Sequence, residues 1–384
     1  MRMIFTSLAS YGHLYPLLPL AVAARDAGHE IVFATAPEFH PTLDKAGLEP
    51  APAGISIRQA FQEIFTGDPR SQGEVPKDEL EQHIGRAFGR IMPERFMADL
   101  APLIEQRRPD LVVYETGNPG GLFAAHTAGV PAMCHGFGRV SYNGDAASTF
   151  VEPLAAFAAE LGITGDTRLA WGRPYLDICP PSVQEPQFLA GARRVPVRPV
   201  GWSEPGDLPS GVLGRDRGRP LVYLTLGTTP MSQAHLLASA VHGLAALEAD
   251  VLVATGPSVD VAALGDVPSN VRLEAWVPQS ELLPHVDLVV HHGGSGTTMS
   301  AFSAGVPQLV LPQGADQFTN AEATTAVGAG TQLLGDEVTT EAVRDNARRL
   351  LTDSAVADVA RKLAEEVAAM PSPQEVAEQL PQYA

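Results

Sequence analysis

The chain has 384 residues, which is long for one ordinary domain and favours two. Its 26 basic and 44 acidic residues give a net charge of −18, which disfavours nucleic acid and anionic membranes as partners. The two cysteines, Cys134 and Cys179, argue against a disulfide framework or a zinc cluster and fit a cytoplasmic protein.

The N-terminal segment has a β–α–β pattern, which predicts a parallel sheet. Residues 2–7 and 30–35 are the predicted strands, and residues 14–27 are the predicted helix. This helix is apolar, but Pro16 and Pro19 interrupt it, so we expect a helix of the mature protein rather than a signal peptide. No G-x-G-x-x-G pattern follows the first strand, which argues against a nicotinamide or flavin enzyme.

The middle of the first half is less regular. Residues 55–99 carry aromatic side chains among polar ones, which fits either an amphipathic helical layer or an apolar wall for a bulky ligand. A strand over 109–115 ends in the carboxylate of Glu115, and a helix over 120–127 and a strand over 130–134 follow. We expect no membrane span, because no stretch reaches about 18 uninterrupted apolar residues.

A proline- and glycine-rich segment over residues 195–209 is typical of an interdomain linker. A second β/α series follows it. Its predicted elements are strands over 220–226, 251–255, 271–276, 289–292 and 308–311 and helices over 234–248 and, with proline breaks, 339–380.

The two series predict an α/β fold of two doubly wound Rossmann-like domains that face each other across a cleft. The N-terminal domain is expected over residues 1–200 and the linker over 201–212. The C-terminal domain is expected over 213–370, and residues 371–384 are expected to cross back to the N-terminal domain as a tail.

The segment 291–298 combines a strand end, a glycine-rich turn and the start of a helix. Such a turn lets a ligand approach the backbone closely, and the helix N-terminus offers N–H groups to an anion such as phosphate. The alternative is a tight β–α connection with core histidines. The next strand end presents Asp316 and Gln317, and a phosphate site beside these groups indicates a sugar nucleotide as ligand.

Five motifs occur in order along the chain. They are Gly12-His13 followed by Pro16, Trp276-Val277-Pro278-Gln279, the turn 292–298, Ala304-Gly305-Val306-Pro307 and Asp316-Gln317-x-x-Asn320. These motifs resemble those of family 1 GT-B glycosyltransferases, most closely the bacterial natural-product branch that transfers deoxysugars. The resemblance covers the whole chain and implies two Rossmann-like domains.

The resemblance implies that the C-terminal domain binds the donor. Trp276 would stack on the nucleobase, the backbone near Val277 would read the base edge, and Gln279 would lie close to the pentose. The other donor-site residues that it implies are Thr228, His292, Gly294, Ser295, Gly296 and Thr297 for the diphosphate and Asp316 and Gln317 for the sugar hydroxyls.

Ser300 stands where plant members of the family and some bacterial ones carry a glutamate that binds both ribose hydroxyls. Because a 2′-deoxyribose lacks one of those hydroxyls, we expect a dTDP-sugar as co-substrate, with a UDP-sugar as the alternative. We expect no further cofactor and no metal, and no Asp-x-Asp pair occurs at this site.

The resemblance implies that the N-terminal domain binds the acceptor. His13, expected at the end of the first strand, would be the general base, and Glu115 would orient it. The alternatives are a structural histidine and a solvated strand-end carboxylate. Several aromatic residues suggest a hydrophobic aglycone, such as a polyketide or macrolide: Phe61, Phe65, Phe88, Phe137 and Tyr142.

The expected function is an inverting, metal-independent hexosyl transfer to a hydroxyl of a natural product, as in antibiotic biosynthesis. A C-glycosylating transferase is the alternative within this class. Outside it, a non-catalytic auxiliary partner of a glycosyltransferase and a sugar-nucleotide epimerase remain open. The expected partners are these small-molecule substrates, and a homodimer is compatible with the sequence.

Overall fold

The computed structural model describes residues 1–65, 77–142, 145–214, 218–227, 234–256 and 267–384. Contacts between residues divide the chain into two compact units. Unit 1 comprises Met1–Arg198 and Pro371–Ala384, and unit 2 comprises Pro199–Met370. Each unit is built on a parallel sheet with helices, so the prediction of two Rossmann-like α/β domains is confirmed.

Unit 1 contains a sheet of seven parallel strands in the order β3-β2-β1-β4-β5-β6-β7. The strands are β1 Arg2–Thr6, β2 Glu30–Thr35, β3 Glu49–Pro52, β4 Leu111–Glu115, β5 Ala132–His135, β6 Pro174–Asp177 and β7 Arg193–Pro196. The order reverses direction beside β1, so the ends of β1 and β4 meet at a switch point where ligands of such sheets bind.

The α-helices of unit 1 flank this sheet. They are α1 Tyr11–Leu14, α2 Leu18–Asp26, α3 His40–Lys45, α4 Ile57–Phe65, α5 Lys77–Arg86, α6 Met92–Arg107, α7 Gly120–Thr127, α8 Asp145–Glu160, α9 Pro186–Gly191 and, near the C-terminus, α16 Pro373–Gln379. A π-helical turn, Ala87–Ile91, joins α5 to α6, and α16 packs against α2.

The first helix differs from the prediction of one helix over residues 14–27. It is split into α1, a 3-10 turn over Tyr15–Leu17 and α2. Pro16 and Pro19 each lie near the start of one of the later segments, where the missing proline N–H does no harm.

Unit 2 contains six parallel strands in the order β10-β9-β8-β11-β12-β13. The strands are β8 Leu221–Thr225, β9 Asp250–Ala254, β10 Val271–Glu274, β11 Leu288–His291, β12 Gln308–Val310 and β13 Gly330–Gln332. The helices are α10 Ala234–Ala245, α11 Gln279–Leu282, α12 Ser295–Ala304, α13 Gln317–Ala326, α14 Thr340–Thr352 and α15 Ser354–Ala369.

The sheet of unit 2 is buried on both faces. Along β8, Val222 and Leu224 belong to one apolar cluster, whereas Leu221 and Tyr223 belong to another. Because successive side chains of a strand point to opposite faces, the two clusters cover the two sides of the sheet. This burial explains why the strand sequences are continuous apolar runs.

The residues predicted as a linker pack within unit 2. A Cβ on Gly201 would lie 3.1 Å from Ser300 Oγ, and one on Gly206 would lie 2.7 Å from the Trp276 ring. Ser280 N donates to Ser203 Oγ over 3.0 Å. In the described part of the chain, no helix combines the length and the apolar character that a membrane crossing requires.

Candidate functional site

The candidate base lies at the carboxyl edge of the sheet of unit 1, but on a different element from the one predicted. β1 ends at Thr6, and His13 belongs to α1, the short helix that follows. The expectation that His13 ends the first strand is therefore wrong. Residues 7–10 connect β1 to this helix, whose N-cap is Ser10 in an extended conformation.

His13 and Glu115 form a close pair. Glu115 is the last residue of β4, and its Oε2 lies 3.1 Å from His13 Nδ1. The carboxylate is fully buried, whereas 22% of the imidazole side chain is exposed. Nδ1 is therefore the ring nitrogen that faces the carboxylate.

Gly117 lies against both members of this pair, and the sequence analysis did not predict this contact. Its N–H donates to Glu115 Oε1. A Cβ at this position would lie 2.9 Å from that oxygen and 3.0 Å from His13 Cε1. The absence of a side chain at Gly117 therefore lets the imidazole and the carboxylate approach each other. The sequence feature that could have indicated this role is a glycine two residues after the glutamate that ends the strand.

The predicted acceptor-binding aromatics fall into separate groups. The Phe137 ring lies edge-on to His13, with centroids 4.9 Å apart. Phe61 lies 6.3 Å from Phe65 and 6.5 Å from Phe88 by ring centroids, so these three form a cluster on α4 and the π-helical turn. Tyr142 lies apart from both groups in its ring contacts, under the guanidinium of Arg168 at 4.6 Å.

In unit 2 the glycine-rich turn joins β11 to α12. Gly293 adopts φ +90°, and Gly294 precedes the first residue of the helix. Gly296 is exposed, and a Cβ there would meet nothing within 4 Å. The first turn of α12 therefore borders open space at Gly296, as an anion site at a helix N-terminus requires.

His291 holds the turn from inside the core. Its Nδ1 accepts a hydrogen bond from Gly293 N over 3.1 Å, and its Nε2 lies 2.9 Å from Gln308 Oε1. Burial lowers the pKa of His291 to about 3, so the ring is neutral, with its proton on Nε2. His291 thus has a structural role.

His292 lies between Gly227, which follows β8, and Gly294 of the same turn. A Cβ on Gly227 would lie 2.6 Å from His292 Cε1, and one on Gly294 would lie 2.5 Å from Nε2. Burial lowers the pKa of His292, while the Asp316 carboxylate acts in the opposite direction. The two glycines therefore leave room for the ring, which also hydrogen-bonds to the backbone of Thr225. Thr228, expected nearby, lies outside the described residues.

Asp316 is tied to the same turn by hydrogen bonds. Ser295 Oγ donates to Asp316 Oδ2 over 2.7 Å, and Asn320 Nδ2 donates to that oxygen over 3.1 Å. Gln317 Oε1 accepts from the N–H groups of Gln313 and Gly314, so this amide shapes the loop before α13.

The predicted nucleoside residues lie on and before α11. Trp276 is 49% exposed, whereas Val277 is buried in the core. Gln279 Oε1 accepts from Thr297 Oγ1 over 3.3 Å and from the Tyr223 hydroxyl over 3.5 Å. These bonds connect α11 to the first turn of α12. Trp276 is therefore the one of these three residues with a broad accessible surface.

No group of three or more His, Cys, Asp or Glu side chains within the described ranges has the arrangement of a metal site. The charged and polar groups of the two candidate sites are instead arranged as pairs and short networks of hydrogen bonds. At the glycine-rich turn, the start of α12 and the imidazole of His292 lie close together.

Comparison with known proteins covers both units. A family model described as "Erythromycin biosynthesis protein CIII-like, N-terminal domain" matches residues 22–227, and its C-terminal counterpart matches residues 238–382. L-demethylnoviosyl transferase of Streptomyces niveus is 38% identical over 88% of this chain and 86% of that protein. Elloramycin glycosyltransferase of Streptomyces olivaceus is 33% identical over 99% and 97%.

Among solved structures, a glycosyltransferase of Streptomyces sp. SF2575 complexed with thymidine diphosphate is similar over the full length of this chain. Its TM-score is 0.78 and its identity 32%, and the match covers 100% of this chain and 99% of that one.

Proposed function

The chain belongs to the erythromycin biosynthesis protein CIII-like family of glycosyltransferases. We propose that it transfers a deoxysugar from a dTDP-sugar to a hydroxyl group of a hydrophobic natural product. The observation that carries this proposal is the pair of His13 and Glu115, because it combines a reachable imidazole with a fully buried carboxylate. This arrangement suits a base that removes a proton from a hydroxyl.

The reaction proceeds by direct displacement in this proposal. His13 Nε2 takes the proton of the acceptor hydroxyl, while the hydroxyl oxygen forms a bond to C1 of the donor sugar. The bond between C1 and the diphosphate oxygen breaks on the opposite face, and the electron pair leaves with dTDP. Attack opposite the leaving group inverts the configuration at C1.

The leaving diphosphate gains negative charge as its bond to C1 breaks. In the proposed site this charge is met by the N–H groups at the start of α12 and by His292. Preorganised donors of this kind stabilise a developing anion strongly in a site that excludes water. The proposed transfer therefore uses these groups rather than a metal ion.

The choice of dTDP rests on Ser300 in α12, which has one hydroxyl where a carboxylate would bind two ribose hydroxyls. Support comes from the similar glycosyltransferase of Streptomyces sp. SF2575, which was solved with thymidine diphosphate. The proposal that the acceptor is hydrophobic is based on Phe137, whose ring contacts His13.

Titration calorimetry with dTDP and with UDP tests the donor proposal. We expect dTDP to bind at least about tenfold more tightly, which corresponds to about 1.4 kcal/mol. Equal affinities would contradict the choice of donor, and no binding of either nucleotide at millimolar concentration would contradict the donor site. Transfer to a panel of hydroxylated aglycones, with the anomeric configuration of the product read by NMR, tests the inversion.

A further inference from the structure

A buried amide joins the two parts of the donor site. We propose that Asn320 is a positioning residue that fixes the sugar-binding carboxylate of Asp316 relative to the phosphate-binding turn. The inference rests on the proposed function, because it assigns these two parts to one ligand.

Asn320 contacts both parts at once. Its side chain is on α13, one turn after Asp316, and the residue is only 2% exposed. Its Nδ2 lies 2.9 Å from the carbonyl oxygen of Gly293, 3.0 Å from Ser295 Oγ and 3.1 Å from Asp316 Oδ2. The two hydrogens of one amide are thus shared among the turn, the helix start and the carboxylate.

The direction of these hydrogen bonds follows from the donors that are present. Ser295 has a single hydroxyl proton, and its Oγ lies 2.7 Å from Asp316 Oδ2. That proton therefore goes to the carboxylate, and the Ser295 oxygen accepts from Asn320. The chain of donation runs from the amide through the hydroxyl to the carboxylate.

Two consequences concern the ligand. Oδ2 of Asp316 receives both donors, so Oδ1 is the oxygen that we assign to a sugar hydroxyl. While the Ser295 proton is held by Asp316, the turn offers the phosphates its backbone N–H groups and His292 rather than the serine hydroxyl. Sugar and phosphate are therefore recognised by one connected network, in which Asn320 sets the spacing between them.

Asn320→Asp tests this role, because it keeps the shape and replaces the NH₂ donor by an oxygen. That oxygen would face the Gly293 carbonyl and the Asp316 carboxylate, which are both acceptors. The probes are dTDP and dTDP-glucose, titrated by calorimetry. We expect the ratio of their dissociation constants, Kd(dTDP)/Kd(dTDP-glucose), to fall about tenfold, because the sugar loses a correctly placed carboxylate.

The pH dependence separates positioning from general destabilisation. A protonated carboxyl at this position is a donor again, so lowering the pH should restore the ratio in Asn320→Asp but not in Asn320→Ala. Thr324→Val is the matched control, since the Thr324 hydroxyl bonds to the Asn320 carbonyl one turn later on α13 and contacts neither Gly293 nor Asp316 in this network. It should lower the melting temperature without changing the ratio.

The outcomes are distinct. If the wild-type protein binds neither probe, the proposed donor site fails. If the wild-type protein binds them and folded Asn320→Asp keeps the wild-type ratio, the role of Asn320 is contradicted while the donor site stands. If Asn320→Asp does not fold, Asn320→Ala is measured instead. A fall in Kd(dTDP)/Kd(dTDP-glucose) supports the inference, and an unchanged ratio overturns it.

Discussion

Glu115→Gln changes the charge beside His13 with almost no change of shape. Glutamine retains an oxygen that can accept the Gly117 N–H, as Glu115 Oε1 does. The second position becomes an NH₂ group that faces His13 Nδ1, where an oxygen now lies at 3.1 Å. The imidazole must then accept at Nδ1 and carry its proton on Nε2, which is the wrong tautomer for a base.

The expected loss of turnover follows from this geometry. An opposite charge this close stabilises the imidazolium that forms during proton transfer by about 1–3 kcal/mol, and each 1.36 kcal/mol in the barrier is about a factor of ten in rate. Loss of the buried carboxylate therefore lowers kcat by about ten- to hundredfold, and the unfavourable tautomer lowers it further. The affinity for dTDP should stay within about twofold of the wild-type value, since Glu115 belongs to unit 1.

The assay is the initial rate of glycoside formation with an acceptor that the wild-type protein glycosylates. Glu160→Gln is the control, because it removes a carboxylate of unit 1 that pairs with Arg90 at the surface. Wild-type turnover in Glu115→Gln would refute the assigned pair.

Three further predictions concern unit 2. Gly227→Ala should weaken dTDP binding by about tenfold in calorimetry, because the added Cβ would lie 2.6 Å from His292 Cε1. Trp276→Ala should weaken dTDP binding about tenfold through lost stacking, with little change in melting temperature, since Trp276 is 49% exposed. Burial lowers the pKa of His291 from 6.5 to about 3. Between these two pH values the unfolded chain therefore binds a proton at His291 that the folded chain does not bind. Stability should therefore fall with decreasing pH by up to about 1.4 kcal/mol per unit in that window, and urea unfolding should show a smaller fall in His291→Gln.

Much of the fold could be predicted because the central strands are continuous apolar runs with clear ends. The turn before α12 and the helix itself, closed by Gly305 at φ +68°, follow from local sequence. The sequence analysis missed β3, β6, β7 and β13. Three of these are edge strands, which need fewer apolar residues, and β3 contains prolines that an interior strand would not tolerate.

The site was less predictable where it depends on contacts between distant segments. Glu115 at the end of β4 could be located from its strand, but the partner of its Oε1, Gly117, required the turn geometry. The close fit of Gly227 against His292 joins residues far apart in sequence. Asn320 was part of a recognised motif, yet its hydrogen bonds to Gly293 and Ser295 depend on how α13 packs beside the turn.

The central claim is that His13 removes the acceptor proton while the nucleotide is held by other residues. The most direct test measures His13→Ala in two ways, by glycoside formation and by calorimetric titration with dTDP. We predict that turnover falls at least about a hundredfold, as loss of a general base requires, while dTDP affinity stays within about twofold. Glycoside formation at the wild-type rate in His13→Ala would contradict the account.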